Sequence, residues 1–207
     1  MNELAGKKAP KEILENIEKL IEAYYTNKPD INIQSQKVSF GTSGHRGSST
    51  KSSFNEDHIL AITQALCEYR KGASISGIMH IGIDTHALST PAQITALQVF
   101  LANEVQCKIA AQNEYTPTPV MSFTIIESNK NSKDLNDGVI ITPSHNPPCD
   151  GGFKYNTPNG GPSDTDVTSV IEKRANEILK DGLKDVKFIP KENVFESKFL
   201  EIADFIT

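Results

Sequence analysis

Residues 10–25, PKEILENIEKLIEAYY, put Ile13, Leu14, Ile17, Leu20, Ile21 and Tyr24 on one side of a 3.6-residue period. The stripe predicts an amphipathic helix with Pro10 in its first turn and Glu15 four residues ahead of Lys19. The NKPD run at 27–30 ends it. Residues 1–37 read as an N-terminal helical extension that packs on a main domain, 38–207.

Beyond it, strand and helix patterns alternate. Residues 38–40 read as a short strand and 41–50 as a glycine/serine loop. Ser53 to Glu56 has the spacing of a capping box, ahead of a helix that carries Ile59, Ile62, Leu66 and Tyr69. Strands are predicted at 78–83, 105–111 and 138–142, with a shorter one at 153–155. Between them, Thr90-Pro91 and Thr118-Pro119 each open a helix. A last helix runs through Val167, Ile171 and Ile178 to Lys180 and stops at Gly182. The central strands are apolar without alternation, as in a sheet buried on both faces. The fold class is α/β: a mostly parallel sheet with helices on both faces, preceded by the helical arm. In such sheets ligands gather at the carboxyl ends of strands. Asp84, Tyr115 and Ser144 each fall just past a predicted strand.

Composition narrows the chemistry. Hydrophobic residues make up 37% of the 207 and charged residues 23%, as in a soluble globular protein. A net charge of −5 gives no general pull toward nucleic acid or anionic membrane, so any anion site is local. Cys67, Cys107 and Cys149 form no CxxC pair and are odd in number, which favours a reducing, cytoplasmic setting. No signal peptide or transmembrane-length run is visible.

Two stretches carry candidate chemistry. In ITPSHNPPCDGGFKYNTPNGGP (141–162), Ser144 and His145 stand between prolines, with Gly151, Gly152 and Lys154 close behind. Alone, such a serine reads as a turn residue. A hydrolase nucleophile is disfavoured: the G-x-S-x-G elbow is missing, and in extended backbone His145 would point away from Ser144. A phosphorylated serine needs rigid presentation and nearby cations; the prolines and Lys154 suit it. In FGTSGHRGSS (40–49), amides beside Gly41, Gly44 and Gly47 could form an anion-binding concavity. Thr42 and Ser43 would add hydroxyls, and Arg46 a guanidinium fork. His45 reads either as part of that pocket or as a solvated spectator. No GK[ST] closes the loop, so it is not a Walker A motif.

FGTSGHRG, GIDTHALSTPA (82–92), TPTP (116–119) and the serine loop together resemble the α-D-phosphohexomutase family, most closely its bacterial phosphoglucomutase branch. The likeness is ordered along the chain and covers roughly residues 36–185. It implies that Ser144 is a phosphoserine that exchanges its phosphoryl group with glucose 1-phosphate and glucose 6-phosphate through glucose 1,6-bisphosphate. It implies that Lys154 transfers a proton, that Arg46 holds the phosphoryl group, and that His145 shapes the pocket. Asp84 and His86 would support the loops. It also implies Mg²⁺, bound by the phosphoserine together with an Asp-rich DGD-type loop of another domain. No such loop occurs in these 207 residues, nor does a GExSGH-like sugar-selecting loop.

The chain therefore reads as the N-terminal domain of such an enzyme. It would carry the phosphoserine half of the site, have little turnover alone, and expose an inter-domain face that invites self-association. Two alternatives remain open. One is a non-catalytic module that binds phosphate or a phosphosugar. The other is a fragment of a mannose- or glucosamine-phosphate mutase.

Overall fold

A computed structural model describes residues 4–41, 44–111 and 114–205. The N-terminal stripe forms a shorter helix than its periodicity predicts. Lys11–Ile13 make one 3-10 turn, and α1 spans Ile17–Thr26. Asn16 resets the start, because its side chain accepts the Lys19 amide at 2.9 Å. Pro10 and Glu15 thus lie outside the helix, and Ile13, Leu14 and Ile17 stay exposed. Leu20, Ala23 and Tyr24 are buried, and the Tyr24 hydroxyl donates to Thr95 Oγ1 at 2.9 Å.

The first strand also differs from expectation. Residues 38–40 run beside a helix as irregular chain: the Val38 amide donates to Asn176 Oδ1 and the Phe40 amide to Glu172 Oε2. Strand β1 is His45–Ser48, inside the expected glycine/serine loop. Helix α2 spans Glu56–Gly72, capped at Asn55 rather than at Ser53. His58 Nδ1 accepts the Asn55 amide at 3.1 Å, and Asn55 Nδ2 donates to the carbonyls of Ala23 and Ser49. Ser53 instead bonds the backbone of Ser48, closing the turn after β1.

The remaining elements are β2 (Met79–Ile83), α3 (Ser89–Ala102), β3 (Cys107–Ala110), α4 (Thr118–Asn129), β4 (Asp137–Ile141), β5 (Asp150–Asn156), α5 (Thr165–Lys180) and β6 (Leu200–Ala203). They build one sheet in the order β1-β5-β4-β2-β3-β6. β4, β2, β3 and β6 are mutually parallel, and β5 is antiparallel to both β4 and β1. Among the described strands β5 alone runs backwards, and at seven residues it is longer than the segment its composition predicts. One sheet face buries Met79, Ile81, Val139, Ile141 and Phe153 against α2, α3, α5 and the inner side of α1. The other face packs Ile140 under Met121 and Ile125 of α4. On the outer side of α4, Phe123 and Ile126 are exposed.

Several polar groups are sealed inside. His45 is 1% exposed and stacks between Phe54 and His58, with ring centroids 5.8 and 5.1 Å away. Burial, with the nearby His58 adding to it, pushes the His45 pKa down to about 3. At the start of β4, Asp137 accepts Arg70 Nε at 2.9 Å and the Tyr155 hydroxyl at 2.7 Å. Burial still lifts its carboxyl to about 6, only partly offset by Arg70 and Tyr155.

The neutral His45 ring makes stability depend on acid. Its folded pKa lies below the ordinary value, so the unfolded chain binds the extra proton. The contribution is fully present above about pH 6.5 and is lost as pH falls toward 3. We expect His45→Phe, which keeps a ring in the stack, to flatten the loss of unfolding free energy between pH 6.5 and 4.5. The slope should ease by on the order of 1 kcal/mol per pH unit. Denaturant titrations of both proteins across that range measure it; identical slopes would show that His45 does not contribute.

Candidate functional site

Strand β4 ends at Ile141, and the chain turns at once into Thr142-Pro143-Ser144-His145. Ser144 takes a left-handed conformation, φ +69°. Its amide donates to Thr142 Oγ1 at 2.9 Å, a side-chain turn of the kind threonine forms two residues ahead. This overturns the extended backbone assumed from sequence. The kink brings Ser144 Oγ within 3.4 Å of His145 Nδ1, and both side chains are exposed. The loop returns to the sheet when the Asp150 amide reaches the Pro147 carbonyl at 3.0 Å and Asn146 Nδ2 reaches Asp150 Oδ2 at 3.0 Å.

The loop bends over β5 at Gly152. A Cβ there would run into the Thr142 carbonyl oxygen and come within 2.7 Å of Pro143 Cα. Only bare backbone lets the serine loop lie so close. Arg46 stands directly across from Gly152 in the β1–β5 register. Lys154 follows two residues along β5, and alternation puts it on the same face, opposite Ile140. The register therefore places Arg46 and Lys154 on the sheet face over which the loop bends. Burial and the nearby Arg46 charge lower the Lys154 pKa, while Asp84 pulls it up.

The glycine-rich loop only partly matches expectation. Thr42 and Ser43 lie outside the described residues. Gly44, at φ +110°, presses on β5: a Cβ would sit 2.5 Å from the Phe153 carbonyl oxygen and 2.7 Å from Lys154 Cγ. Its amide donates to the Phe40 carbonyl at 2.8 Å, so it is not presented to an anion. His45 points into the core and is neither a solvated spectator nor at the pocket surface. Backbone alternation explains this, because Arg46 and His45 take opposite faces of β1.

Asp84 and His86 lie on the loop after β2. Asp84 Oδ1 accepts the Ser89 hydroxyl at 2.6 Å and the His86 amide at 2.9 Å. Its Oδ2 is 2.8 Å from His86 Nδ1. Burial raises the Asp84 pKa, but the bonds from Ser89, Thr142 and His86 outweigh it and the net shift is downward. His86 Nε2 reaches back to the Asn146 carbonyl at 3.2 Å. Among the described residues no group of three or more His, Cys, Asp or Glu side chains converges in a way that could hold a metal ion.

Residues 37–181 match the family model described as phosphoglucomutase/phosphomannomutase, alpha/beta/alpha domain I. The chain belongs to this family. It is 55% identical to a phosphoglucomutase of Komagataeibacter xylinus over 98% of the chain and 37% of the relative. With phosphoglucomutase 1 of Saccharomyces cerevisiae it shares 31% identity over 80% of the chain and 29% of the relative. It thus spans about a third of the length of these relatives. Among solved structures, it shares its fold with pp63/parafusin (phosphoglucomutase) from Paramecium in the open form. The TM-score there is 0.61 at 22% identity, covering 78% of this chain and 27% of that one.

Within this family fold, the NTPNGGP segment proves to be remote from the serine loop. It begins at Asn156, which pairs with Gly138 at the opposite end of β4. There Asn156 Nδ2 donates to the Gly160 carbonyl at 2.9 Å and to Ser122 Oγ of α4 at 3.3 Å. Residues that sequence reasoning passed over, Thr142 and Asn146, tie the serine loop down. Thr142 carried a signal, since it stands two residues before a turn serine. The His86–Asn146 contact, 60 residues apart in the chain, carried none.

The close approach at Gly152 is testable. Gly152→Ala should force the serine loop outward and cost about 1–3 kcal/mol of stability, as overpacking does. Thermal unfolding measures it; an unchanged midpoint would mean that the loop does not rest on β5.

Proposed function

We propose that this chain is the phosphoserine-bearing half of a phosphoglucomutase active site, acting on glucose 1-phosphate and glucose 6-phosphate through glucose 1,6-bisphosphate. The carrying observation is an exposed, kinked serine on a loop that bends over β5, where the strand register sets Arg46 and Lys154 on the same face of the sheet. Phosphoryl transfer asks chiefly for positioning and charge neutralisation. In the forward step a sugar hydroxyl attacks the phosphorus on Ser144, and the P–Oγ bond breaks as the new P–O bond forms. Lys154 accepts the hydroxyl proton; its lowered pKa favours the neutral form this needs. The departing Ser144 oxygen takes up a proton, for which His145 Nδ1 stands 3.4 Å away. Arg46 neutralises the phosphoryl oxygens, a task for which its fork is suited. Thr42, Ser43 and the turn around Gly44 belong to the same expected phosphate surface, through groups other than the Gly44 amide.

Mg²⁺ belongs to the complete enzyme. The donors gathered among the described residues do not make a site for it: a phosphoserine alone falls short of the oxygen ligands the ion demands. Three free cysteines support a reducing, cytoplasmic setting. No helix among the described residues is long and apolar enough to cross a membrane. The exposed Phe123 and Ile126 support an apolar interface on α4, open to a second copy or to further chain.

Incubation with glucose 1,6-bisphosphate, read by intact-protein mass spectrometry, tests the reading. One phosphoryl group should be added, none to Ser144→Ala. Lys154→Met should slow the addition by about 10²–10⁴-fold, the range of general acid–base effects. Saturable phosphosugar binding without phosphorylation would favour the binding-module alternative instead.

A further inference from the structure

We propose that Asp84, Thr142 and His86 are positioning residues that hold Ser144 in its left-handed conformation by fixing the backbone on either side of it. The holding contacts stand on geometry alone; their consequence for phosphoryl transfer rests on the phosphoserine reading.

β2 and β4 are parallel neighbours paired at Ile83 and Ile141, so Asp84 and Thr142 are the first residues past two adjacent strand ends. The Asp84 amide donates to the Ile141 carbonyl at 3.2 Å, which locks the two ends together. Just past that tie, Thr142 Oγ1 accepts the Ser144 amide at 2.9 Å. On the far side of the serine, His86 binds the Asn146 carbonyl at 3.2 Å while its other nitrogen rests on Asp84 at 2.8 Å. Asp84 thus fixes the chain before Ser144 through its amide and the chain after it through His86, while Thr142 holds the serine's own amide.

Two further features favour this over a purely local role for Asp84. Its bonds to Ser89 and to the His86 amide organise the start of α3, but its own amide bond to Ile141 and the His86–Asn146 link leave that helix and cross to the end of β4 and the serine loop. The carboxylate is also surrounded by donors, so its charge is largely satisfied before a phosphoryl group arrives nearby.

Thr142→Val removes the hydroxyl that accepts the Ser144 amide at nearly constant volume, and Thr142→Ser restores it. Residue-resolved amide exchange on the 207-residue chain should show the Ser144 amide exchanging about tenfold faster in the valine variant, the worth of one hydrogen bond, and near wild type in the serine variant. Phosphoryl uptake from glucose 1,6-bisphosphate should slow in the valine variant and recover in the serine variant. Unchanged exchange at Ser144 would overturn the proposal, as would faster exchange with unchanged uptake. If wild type takes up no phosphoryl group, the phosphoserine reading fails, yet the exchange comparison still decides the positioning claim. Should Thr142→Val not fold, His86→Gln at a partly exposed position serves: loop exchange must rise and uptake must fall, or the proposal is wrong.

Discussion

β5 runs against its neighbours, and that single reversal governs the rest of the site. A strand that enters the sheet where β4 ends must place its first residues beneath the β4 exit loop. Its Gly152 then meets that loop at contact distance, while Gly151 on the other face packs against Phe54. The same reversal lets β1 pair on the outer edge of β5 and aligns Arg46 with Gly152. Had β5 been parallel, a crossover of a dozen or more residues would separate it from β4, and Lys154 would leave the serine loop. The cations are thus delivered by strand register rather than by loop conformation, which gives them the precision of a ladder.

The two ends of β4 do different work. At its start, Asp137, Arg70 and Tyr155 form a buried polar cluster that ties α2 to β4 and β5. At its finish, Asp84, His86 and Ser89 form a partly solvated one that reaches the serine loop at Asn146. Burial dominates the first, raising the Asp137 pKa; hydrogen bonding dominates the second, lowering that of Asp84. Carboxylates of one chemical type therefore serve opposite ends in different electrostatic states, set by how many donors each end supplies.

Much of this was legible in the sequence, and the failures have physical causes. The apolar runs at 79–83 and 137–141 are buried on both faces and announce themselves without alternation. β1 was missed because HRGS has neither β-branched residues nor an apolar run; its partner supplies the pairing, and tertiary context overrides local preference. Periodicity predicts too long an α1 because it cannot see a cap, and Asn16 interrupts a stripe that otherwise continues. His45 was assigned to a surface because glycine neighbours suggested a loop; once residues 45–48 become a strand, alternation sends it inward. The serine loop was found through its prolines and glycines. Its kink was not, since a left-handed serine has no compositional mark.

That kink has a consequence for engineering. An L-residue held at φ +69° carries a conformational penalty of about 1–2 kcal/mol that glycine escapes and asparagine largely escapes. Neither alternative bears a hydroxyl. A campaign that ranked variants by melting temperature alone would thus be drawn to glycine at 144, and its most heat-resistant winner would have lost the hydroxyl that the kink presents.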